Sequence, residues 1–325
     1  MTICQLSDVS KSIEIDVQGG ILRSVLFAED GKQVLSGVDG MIWWWRVDDR
    51  REVGKPIRAQ GAEINDTALS PDRKWLVCGM WHPDRSGRNG RVGVWDAQTH
   101  DMVLDIKGQI DTVASVDISP DSTQFATGSW DHFANVWCIT TGKRLLTLQH
   151  EGVVRSVRFS PTGDRIATAT VKNPHSKSIH IYDTGNGRLL LVIPFRLSIY
   201  LSSPLAWSTD GRHLFAAAYS QVKRFDASSG SLLITWSTPG GGKPASVVLS
   251  RNQKFAVVVA HSSLSFWDTS TNQQIGTTIE HISQVGSIAL SPSDDCLATG
   301  EKNGVTLRSL RSILPASYLA MNVSD

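Results

Sequence analysis

Short apolar segments separated by polar turns repeat along the whole chain. In each unit an apolar segment ends in a turn rich in Ser, Pro, Asp and Gly. Such turns favour hairpins because Pro presets φ, Asp and Ser bond the local backbone, and Gly accepts positive φ. Seven of these turns, about 41 to 49 residues apart, begin at Ala28, Ser70, Ser119, Ser160, Ser208, Ser250 and Ser291. A period of this length predicts seven copies of one supersecondary unit.

Each unit is predicted to hold four strands, which we call a, b, c and d. The first turn joins strand a to a small-residue strand b, such as QFATGS from Gln124, and strand c follows a second turn. A large ring ends strand c in six of the seven units. The strand-c ends are Trp45, Trp95-Asp96, Trp137-Cys138, Tyr182-Asp183, Phe225-Asp226, Trp267-Asp268 and Arg308-Ser309. Strand d, such as LLTL from Leu145, completes a four-stranded unit of the kind that forms a propeller blade.

The two ends of the chain are predicted to meet. The segment KSIEIDVQGGILRSVLF from Lys11 aligns without a gap with KRLLTLQHEGVVRSVRF from Lys143, so residues 11–17 form a strand d with no unit of their own. The last unit, residues 285–310, lacks a strand d, and we expect the N-terminal strand to complete it and to cover its open edge. The predicted division is a leader (1–10), one propeller (11–310) and a tail (311–325) in which Pro315 interrupts a short helix.

These units resemble the WD-repeat family, whose repeat carries Gly-His near its start and ends in Trp-Asp. The resemblance covers residues 11 to 310, and similar divergent repeats form recognition arrays in fungal immune-like receptors. It implies an all-β, seven-bladed β-propeller with four antiparallel strands per blade around a channel. It also implies a buried hydrogen-bonded set of His, Ser or Thr, Asp and Trp, which this chain keeps only in part. The residues given structural roles are Trp45, Trp95, Asp96, Thr127, Asp131, Trp137, His150, Trp267, Asp268 and His281.

Composition and charge exclude several classes of protein. The 41% hydrophobic content is typical of a globular chain, and a net charge of +1 argues against nucleic acid or an anionic membrane as a partner. The four cysteines form no CxxC pair, so we expect reduced thiols, no metal site and no cofactor. Without a signal peptide or an apolar span of about 20 residues, we expect a cytoplasmic or nuclear monomer.

A ring of residues at the b–c turns supplies the candidate partner site. In the WD-repeat family the residue before the Asp of this turn often contacts partners. The same offset here gives Asp39, Trp81, Trp130, Val171, Tyr219, His261 and Lys302. Because aromatic residues dominate interface hot spots, Trp81, Trp130, Tyr219 and His261 are predicted to bind a partner. The alternative for Trp81 and Trp130 is that these rings pack against neighbouring loops.

Two basic insertions lie at the same turns, at residues 81–91 and 171–177. Their cations are Arg85, Arg88, Arg91, Lys172 and Lys177. They are predicted to surround Trp130 with positive charge suited to an acidic peptide or a phosphate. The alternative is that each charge is simply solvated.

No catalytic motif is present. The segment STPGGGKP from Ser237 lacks the Gly and the Ser or Thr of a phosphate-binding loop, and GxSxG and HExxH are absent. The sequence therefore predicts a non-catalytic interaction scaffold, adaptor or recognition module that binds a protein or peptide near blades 2 to 4. The alternatives are a propeller enzyme with a small-molecule or metal site at the channel, and a phosphate or nucleic-acid binder through the basic loops.

Overall fold

Antiparallel strands form seven four-stranded sheets in the computed structural model of the chain. The structure describes residues 13–16, 22–28, 30–82, 90–109, 111–172, 177–195, 205–218, 221–237, 244–302 and 304–319. The strand-a segments of neighbouring sheets contact each other all the way around, so the sheets are blades arranged about a central channel. The predicted seven-bladed propeller is confirmed.

The blades follow the order of the chain. Blade 7 begins with β1 (Ile13–Asp16). Blade 1 contains β2 (Ser24–Phe27), β3 (Gln33–Val38), β4 (Met41–Arg46) and β5 (Ile57–Arg58), and blade 2 contains β6 (Glu63–Leu69), β7 (Trp75–Trp81), β8 (Gly90–Asp96) and β9 (Met102–Gln109). Blade 3 contains β10 (Val113–Ile118), β11 (Gln124–Ser129), β12 (Phe133–Cys138) and β13 (Arg144–Gln149), and blade 4 contains β14 (Val153–Phe159), β15 (Arg165–Val171), β16 (Lys177–Asp183) and β17 (Leu189–Pro194).

The remaining blades repeat the pattern. Blade 5 contains β18 (Leu205–Trp207), β19 (His213–Ala218), β20 (Gln221–Asp226) and β21 (Leu232–Ser237), and blade 6 contains β22 (Pro244–Leu249), β23 (Phe255–Ala260), β24 (Ser263–Asp268) and β25 (Gln274–Glu280). Blade 7 is completed by β26 (Ser287–Leu290), β27 (Cys296–Glu301) and β28 (Gly304–Ser309). No helix in the described part of the chain is long and apolar enough to cross a membrane.

The N-terminal strand closes the ring, as predicted. β1 pairs with β28 in antiparallel register, with Ile13 opposite Leu307 and Ile15 opposite Val305. Ile15 is only 4% exposed and packs into the cluster between blades 7 and 1. The edge of the last blade is therefore covered by the other end of the chain.

The a–b turns show why their sequence pattern recurs. In blade 3 the Ser119 hydroxyl donates to Asp121 Oδ1 at 2.6 Å and accepts the backbone N–H of Gln124 at 2.9 Å. The Asp and Ser side chains thus replace backbone partners inside a tight turn. The same Ser contact to the first residue of strand b recurs at Ser70, Ser160, Ser208, Ser250 and Ser291.

Apolar packing between blades forms the core. Trp44 packs toward blade 2, whereas Trp43 and Trp45 pack toward blade 7, as alternation along β4 requires. A Cβ added at Gly79 would lie 2.7 Å from the Val113 side chain, so blades 2 and 3 approach closely there. These contacts fix the blades relative to one another and so fix the loops at both faces.

The segment after β28 packs against blades 6 and 7. Two short 3₁₀ turns, η1 (Leu310–Ser312) and η2 (Ala316–Tyr318), lie on either side of Pro315. Leu314 and Leu319 are buried in the blade 6–7 cluster. The Tyr318 hydroxyl donates to Asp268 Oδ2 at 2.6 Å. The leader, residues 1–10, lies outside the described residues.

Candidate functional site

The predicted ring positions lie at or just past the ends of the b strands, on one face of the propeller that we call the b–c face. Trp81 and Val171 end β7 and β15, while Trp130 and His261 directly follow β11 and β23. Trp130 is 38% exposed, and His261, Lys302 and Asp39 are exposed as well. Val171 is buried between blades 4 and 5, and Tyr219 lies outside the described residues. The exposed Trp130 ring is thus the main aromatic feature of the described part of this face.

Trp81 is held by its own blade. Its indole Nε1 donates to Glu63 Oε2 at 3.2 Å, and Glu63 Oε2 lies 3.8 Å from Arg23 Nη2. The ring is only partly exposed. Trp81 therefore offers less free surface to a partner than Trp130 does.

Trp130 stacks against an arginine from the next blade. The guanidinium carbon of Arg155 lies 4.5 Å from the Trp130 ring centroid, a cation–π arrangement. Arg155 is the extra residue of a β-bulge, because Val154 pairs with Thr170 while Ser156 pairs with Ala169. Bulges redirect side chains, and this one directs Arg155 onto the blade 3 loop. Burial lowers the pKa of Arg155 because the charged form loses hydration.

The prediction that Arg91 contributes positive charge around Trp130 requires a correction. Arg91 Nη2 donates to Asp105 Oδ2 at 2.8 Å and to Gln60 Oε1 at 3.0 Å. Arg91 therefore faces the blade 1 side of blade 2 and is neutralised there, and it lowers the pKa of Asp105. Arg91 lies on strand c and Asp105 on strand d of blade 2. The sequence did not indicate this pairing, because Arg91 was assigned to a loop insertion.

The other predicted cations add little to the described surface. Lys172 Nζ donates to Glu151 Oε2 at 2.9 Å, which neutralises it locally. Arg85, Arg88 and the side chain of Lys177 lie outside the described residues. The cation next to Trp130 is Arg155, which the sequence analysis did not identify.

The predicted structural set is present in altered forms. In blade 3 the Trp137 Nε1 donates to Thr127 Oγ1 at 3.0 Å, while Asp131 Oδ1 accepts the N–H of Phe133 at 3.0 Å within its own turn. Trp45 donates to Ser36 Oγ at 2.9 Å, whereas Trp267 donates to Ser265 Oγ on its own strand at 2.9 Å. Ser and Thr hydroxyls thus accept hydrogen bonds from the strand-c tryptophans in several blades.

Blades 4 and 7 use their histidines differently. Tyr182 Oη lies 3.4 Å from His150 Nδ1, and burial lowers the pKa of His150 to about 3, so its ring is neutral. His281 Nδ1 lies 2.7 Å from Glu301 Oε1, a partner that the sequence analysis missed. Glu301 ends strand b of its blade, just before the turn where the family pattern places its Asp.

The strand-c aspartates cap the turns that follow them. Asp96 Oδ1 accepts the N–H groups of Gln98 at 2.8 Å and Thr99 at 2.9 Å. Asp268 makes the equivalent bonds to the next turn and also accepts from Tyr318. These bonds lower the pKa of both aspartates. Trp95, just before Asp96, is 2% exposed.

Charged side chains also line the channel, where no motif predicted them. Asp66 Oδ2 accepts the N–H of Val116 at 3.0 Å, so this carboxylate joins strand a of blade 2 to strand a of blade 3. Asp117 Oδ2 accepts the N–H of Phe159 at 2.7 Å and joins blade 3 to blade 4 in the same way. Burial raises the pKa of Asp117 to about 6.

A cavity of about 290 Å³ occupies the channel beside these groups. Its lining includes Arg158, Trp207 and the hydroxyls of Ser24, Ser246 and Ser287. Arg158 Nη1 lies 3.9 Å from Asp66 Oδ2. The channel charges therefore serve contacts between blades. Among the residues that the structure describes, no group of three His, Cys, Asp or Glu side chains could hold a metal ion.

Comparison with known families supports the repeat assignment. The family model described as WD domain, G-beta repeat, matches residues 101–138 and 142–183. Each match runs from strand d of one blade through strands a, b and c of the next, here blades 3 and 4. The chain thus carries WD repeats within a seven-bladed propeller. The WD-repeat unit thus begins one strand before the structural blade. Because of this offset the last blade lacks a strand d of its own, and β1 supplies it.

Curated relatives of this WD-repeat propeller match parts of it. Protein groucho from Drosophila melanogaster is 26% identical over 161 residues, 49% of this chain and 21% of the relative. Small ribosomal subunit protein RACK1y from Oryza sativa subsp. japonica is 29% identical over 152 residues, 45% of this chain and 42% of the relative.

A further relative covers more of the propeller. Serine-threonine kinase receptor-associated protein from Gallus gallus is 24% identical over 222 residues, 66% of this chain and 59% of the relative. This chain covers less than two thirds of the length of each of the three relatives.

Proposed function

We propose that this WD-repeat propeller is a non-catalytic scaffold, adaptor or recognition module that binds a protein or peptide on its b–c face near blades 2 to 4. The observation that carries the proposal is the 38% exposure of Trp130, a large aromatic ring placed on a rigid blade end. Trp, Tyr and Arg side chains dominate interface energetics, so a Trp ring presented at the surface is a strong candidate for a partner contact.

The relatives support assembly with other proteins. One is named as a small ribosomal subunit protein and another as receptor-associated. We propose the same general role here, for a monomeric propeller in the cytoplasm or nucleus.

Trp130 is the proposed centre of the binding surface. The exposed part of Trp81 and the Lys172–Glu151 pair border it on blades 2 and 4. Arg85, Arg88, Lys177, Tyr219 and His261 remain proposed contacts on the same face. Arg91 is omitted because Asp105 and Gln60 engage it.

The two alternatives have weaker support. Asp66 and Asp117 hold neighbouring blades together, so they are poor candidates for a catalytic pair. The described loop cations Arg91 and Lys172 are paired with carboxylates, which weakens the case for nucleic acid. Protein binding explains the exposed aromatic ring more directly.

Affinity capture with two matched tryptophan variants tests the proposal. Trp130→Ala should lose the proteins captured by the wild-type propeller while its melting temperature stays close to wild type. Trp75→Ala, at the opposite end of strand b in blade 2, is the control and should keep them. A folded Trp130→Ala variant that captures the full wild-type set would contradict the proposed face.

A further inference from the structure

We infer that Arg155 is an anchoring site for a carboxylate in an acidic segment of the partner, with the Trp130 ring as the platform beneath it. This inference rests on the proposed function and deepens it, because it specifies the chemistry recognised at that site. The recognised group is an Asp or Glu side chain rather than a phosphate.

The β-bulge in β14 creates this site. It directs Arg155 out of the strand register, so that its guanidinium lies 4.5 Å from the centroid of the Trp130 ring. The Arg155 Nε is shielded from solvent and has no hydrogen-bond partner. The two Nη groups of Arg155 are not shielded in this way, and a stacked guanidinium keeps such N–H groups free to bind a planar carboxylate through two parallel hydrogen bonds.

A comparison with two other arginines shows that Arg155 is unusual. Arg23 holds the equivalent place in blade 1, just before strand a, where Asn65 Oδ1 accepts from it at 3.3 Å and Glu63 lies within 3.8 Å. Arg158, three residues along β14, donates to Val116 O at 3.1 Å and faces Asp66. Within the described residues, Arg155 has neither a hydrogen bond nor an ion pair.

A partly buried, unpaired charge is costly, and a counter-ion offsets that cost. Transfer of a charged group out of water is unfavourable unless the group is paired and hydrogen-bonded. The lowered pKa of Arg155 reflects the same loss of hydration. A partner carboxylate at the Nη groups would supply a counter-ion in surroundings where charge-assisted hydrogen bonds are strong.

The charge balance favours a carboxylate over a phosphate. A phosphate monoester carries about −1.5 to −2 charges near pH 7, whereas a carboxylate carries one. Arg155 offers one uncompensated positive charge, and the nearby Lys172 is already bound to Glu151 at 2.9 Å. One carboxylate neutralises this site, whereas a phosphate leaves excess negative charge on it.

Nuclear magnetic resonance of the arginine Nε–Hε groups tests the inference on the intact protein. The probes are three acetylated six-residue peptides: all Glu, all Gln, and one with alternating phosphoserine and Gln. The Arg155 signal is assigned through Arg155→Gln. Its chemical shift should change on titration with the Glu peptide and remain constant with the Gln peptide. Arg23, paired with Glu63, is the internal control and should not move.

Binding measurements give the second readout. Arg155→Gln should weaken binding of the Glu peptide about tenfold or more, while Arg23→Gln should leave it near wild type. An unmoved Arg155 signal, equal binding by Arg155→Gln, or tighter binding of the phosphoserine peptide would overturn the inference. The wild-type titration needs no variant, so a folding defect in Arg155→Gln does not affect it.

The failure of this inference and the failure of the proposed function are distinguishable. If partner capture requires Trp130 but is unchanged in Arg155→Gln, the b–c face binds a partner and the carboxylate anchor is wrong. If capture is unchanged in both Trp130→Ala and Arg155→Gln, the proposed face itself is wrong.

Discussion

Ile15 of β1 lies opposite Val305 of β28, so the first described strand completes the last blade. Both side chains are buried in the cluster that joins blades 7 and 1. The adjacent Glu14 lies opposite Thr306 and is exposed. Closure of the ring therefore depends on the apolar face of one short strand.

Ile15→Ala should destabilise the propeller, because it removes buried methyl groups at the closing joint. The expected loss is about 2 to 4 kcal/mol of unfolding free energy. Glu14→Ala, on the exposed face of the same strand, should stay within about 0.5 kcal/mol of wild type. Urea unfolding followed by tryptophan fluorescence measures both. Equal midpoints for the two variants would show that β1 does not close the ring.

The sequence allowed most of the fold to be predicted because the repeat constrains it. The alignment of residues 11–17 with the strand d that begins near Lys143 placed β1 correctly, since both share one alternating pattern. The shortness of β5, only Ile57–Arg58, was not predicted. Strand d lies at the outer edge of a blade, where few of its side chains must be buried. The length of this strand is therefore poorly marked in the hydrophobic pattern of the sequence.

The unfolding free energy should fall as pH rises from 4 to 6, because Asp117 loses its proton in this range. Its folded pKa of about 6 lies above the ordinary carboxyl value of 3.8, so the folded state binds the proton more tightly. The unfolding free energy therefore decreases as pH rises through this window, by up to about 2 to 3 kcal/mol for a shift of this size. Asp117→Asn, whose amide oxygen can still accept from Phe159, should flatten this slope in melts at several pH values.

An exposed carboxylate provides the control for Asp117. A hydrogen bond from Ser119 lowers the pKa of Asp121, so its contribution to stability is lost only as pH falls below about 4. Asp121→Asn should leave the slope between pH 4 and 6 unchanged. The same slope in Asp117→Asn and wild type would refute the assignment of this pH dependence to Asp117.

Cys138 should be the most reactive of the described cysteines. Hydrogen bonding by the Thr140 and Thr141 groups lowers its pKa to about 7, whereas burial raises the pKa of Cys78. Iodoacetamide at pH 7.5 should label Cys138 well before Cys78 or the buried Cys296. Peptide mass spectrometry of the folded protein measures the rates. Labelling of Cys78 or Cys296 at the Cys138 rate would be inconsistent with this assignment.

Tyr318→Phe should loosen the C-terminal segment. The Tyr318 hydroxyl donates to the Asp268 carboxylate at 2.6 Å, and a hydrogen bond to a charged group contributes about 1.5 to 3 kcal/mol. Thermal unfolding should show the loss. Ser317→Ala keeps the backbone carbonyl that accepts from Lys254 and should melt near wild type. An unchanged melting temperature in Tyr318→Phe would mean that this contact contributes nothing.

The candidate site was only partly predictable from the sequence. Trp130 was located because its distance from the a–b turn is nearly constant among repeats. Arg155 was missed because its direction depends on a one-residue bulge, which leaves the repeat length and the polarity pattern unchanged. Arg91 was placed wrongly because its partner Asp105 lies on another strand and is recognised only once strands c and d are paired.

Hydrogen–deuterium exchange of the propeller, alone and bound to a captured partner, tests the binding face most directly. Binding at the b–c face predicts protection at residues 111–115, 129–133 and 150–155, which surround Trp130 and Arg155. The competing surface is the outer edge of blades 4 and 5, where Leu189, Leu190, Leu232 and Leu233 are exposed. Protection confined to β17 and β21, with no change around Trp130, would contradict binding at the b–c face.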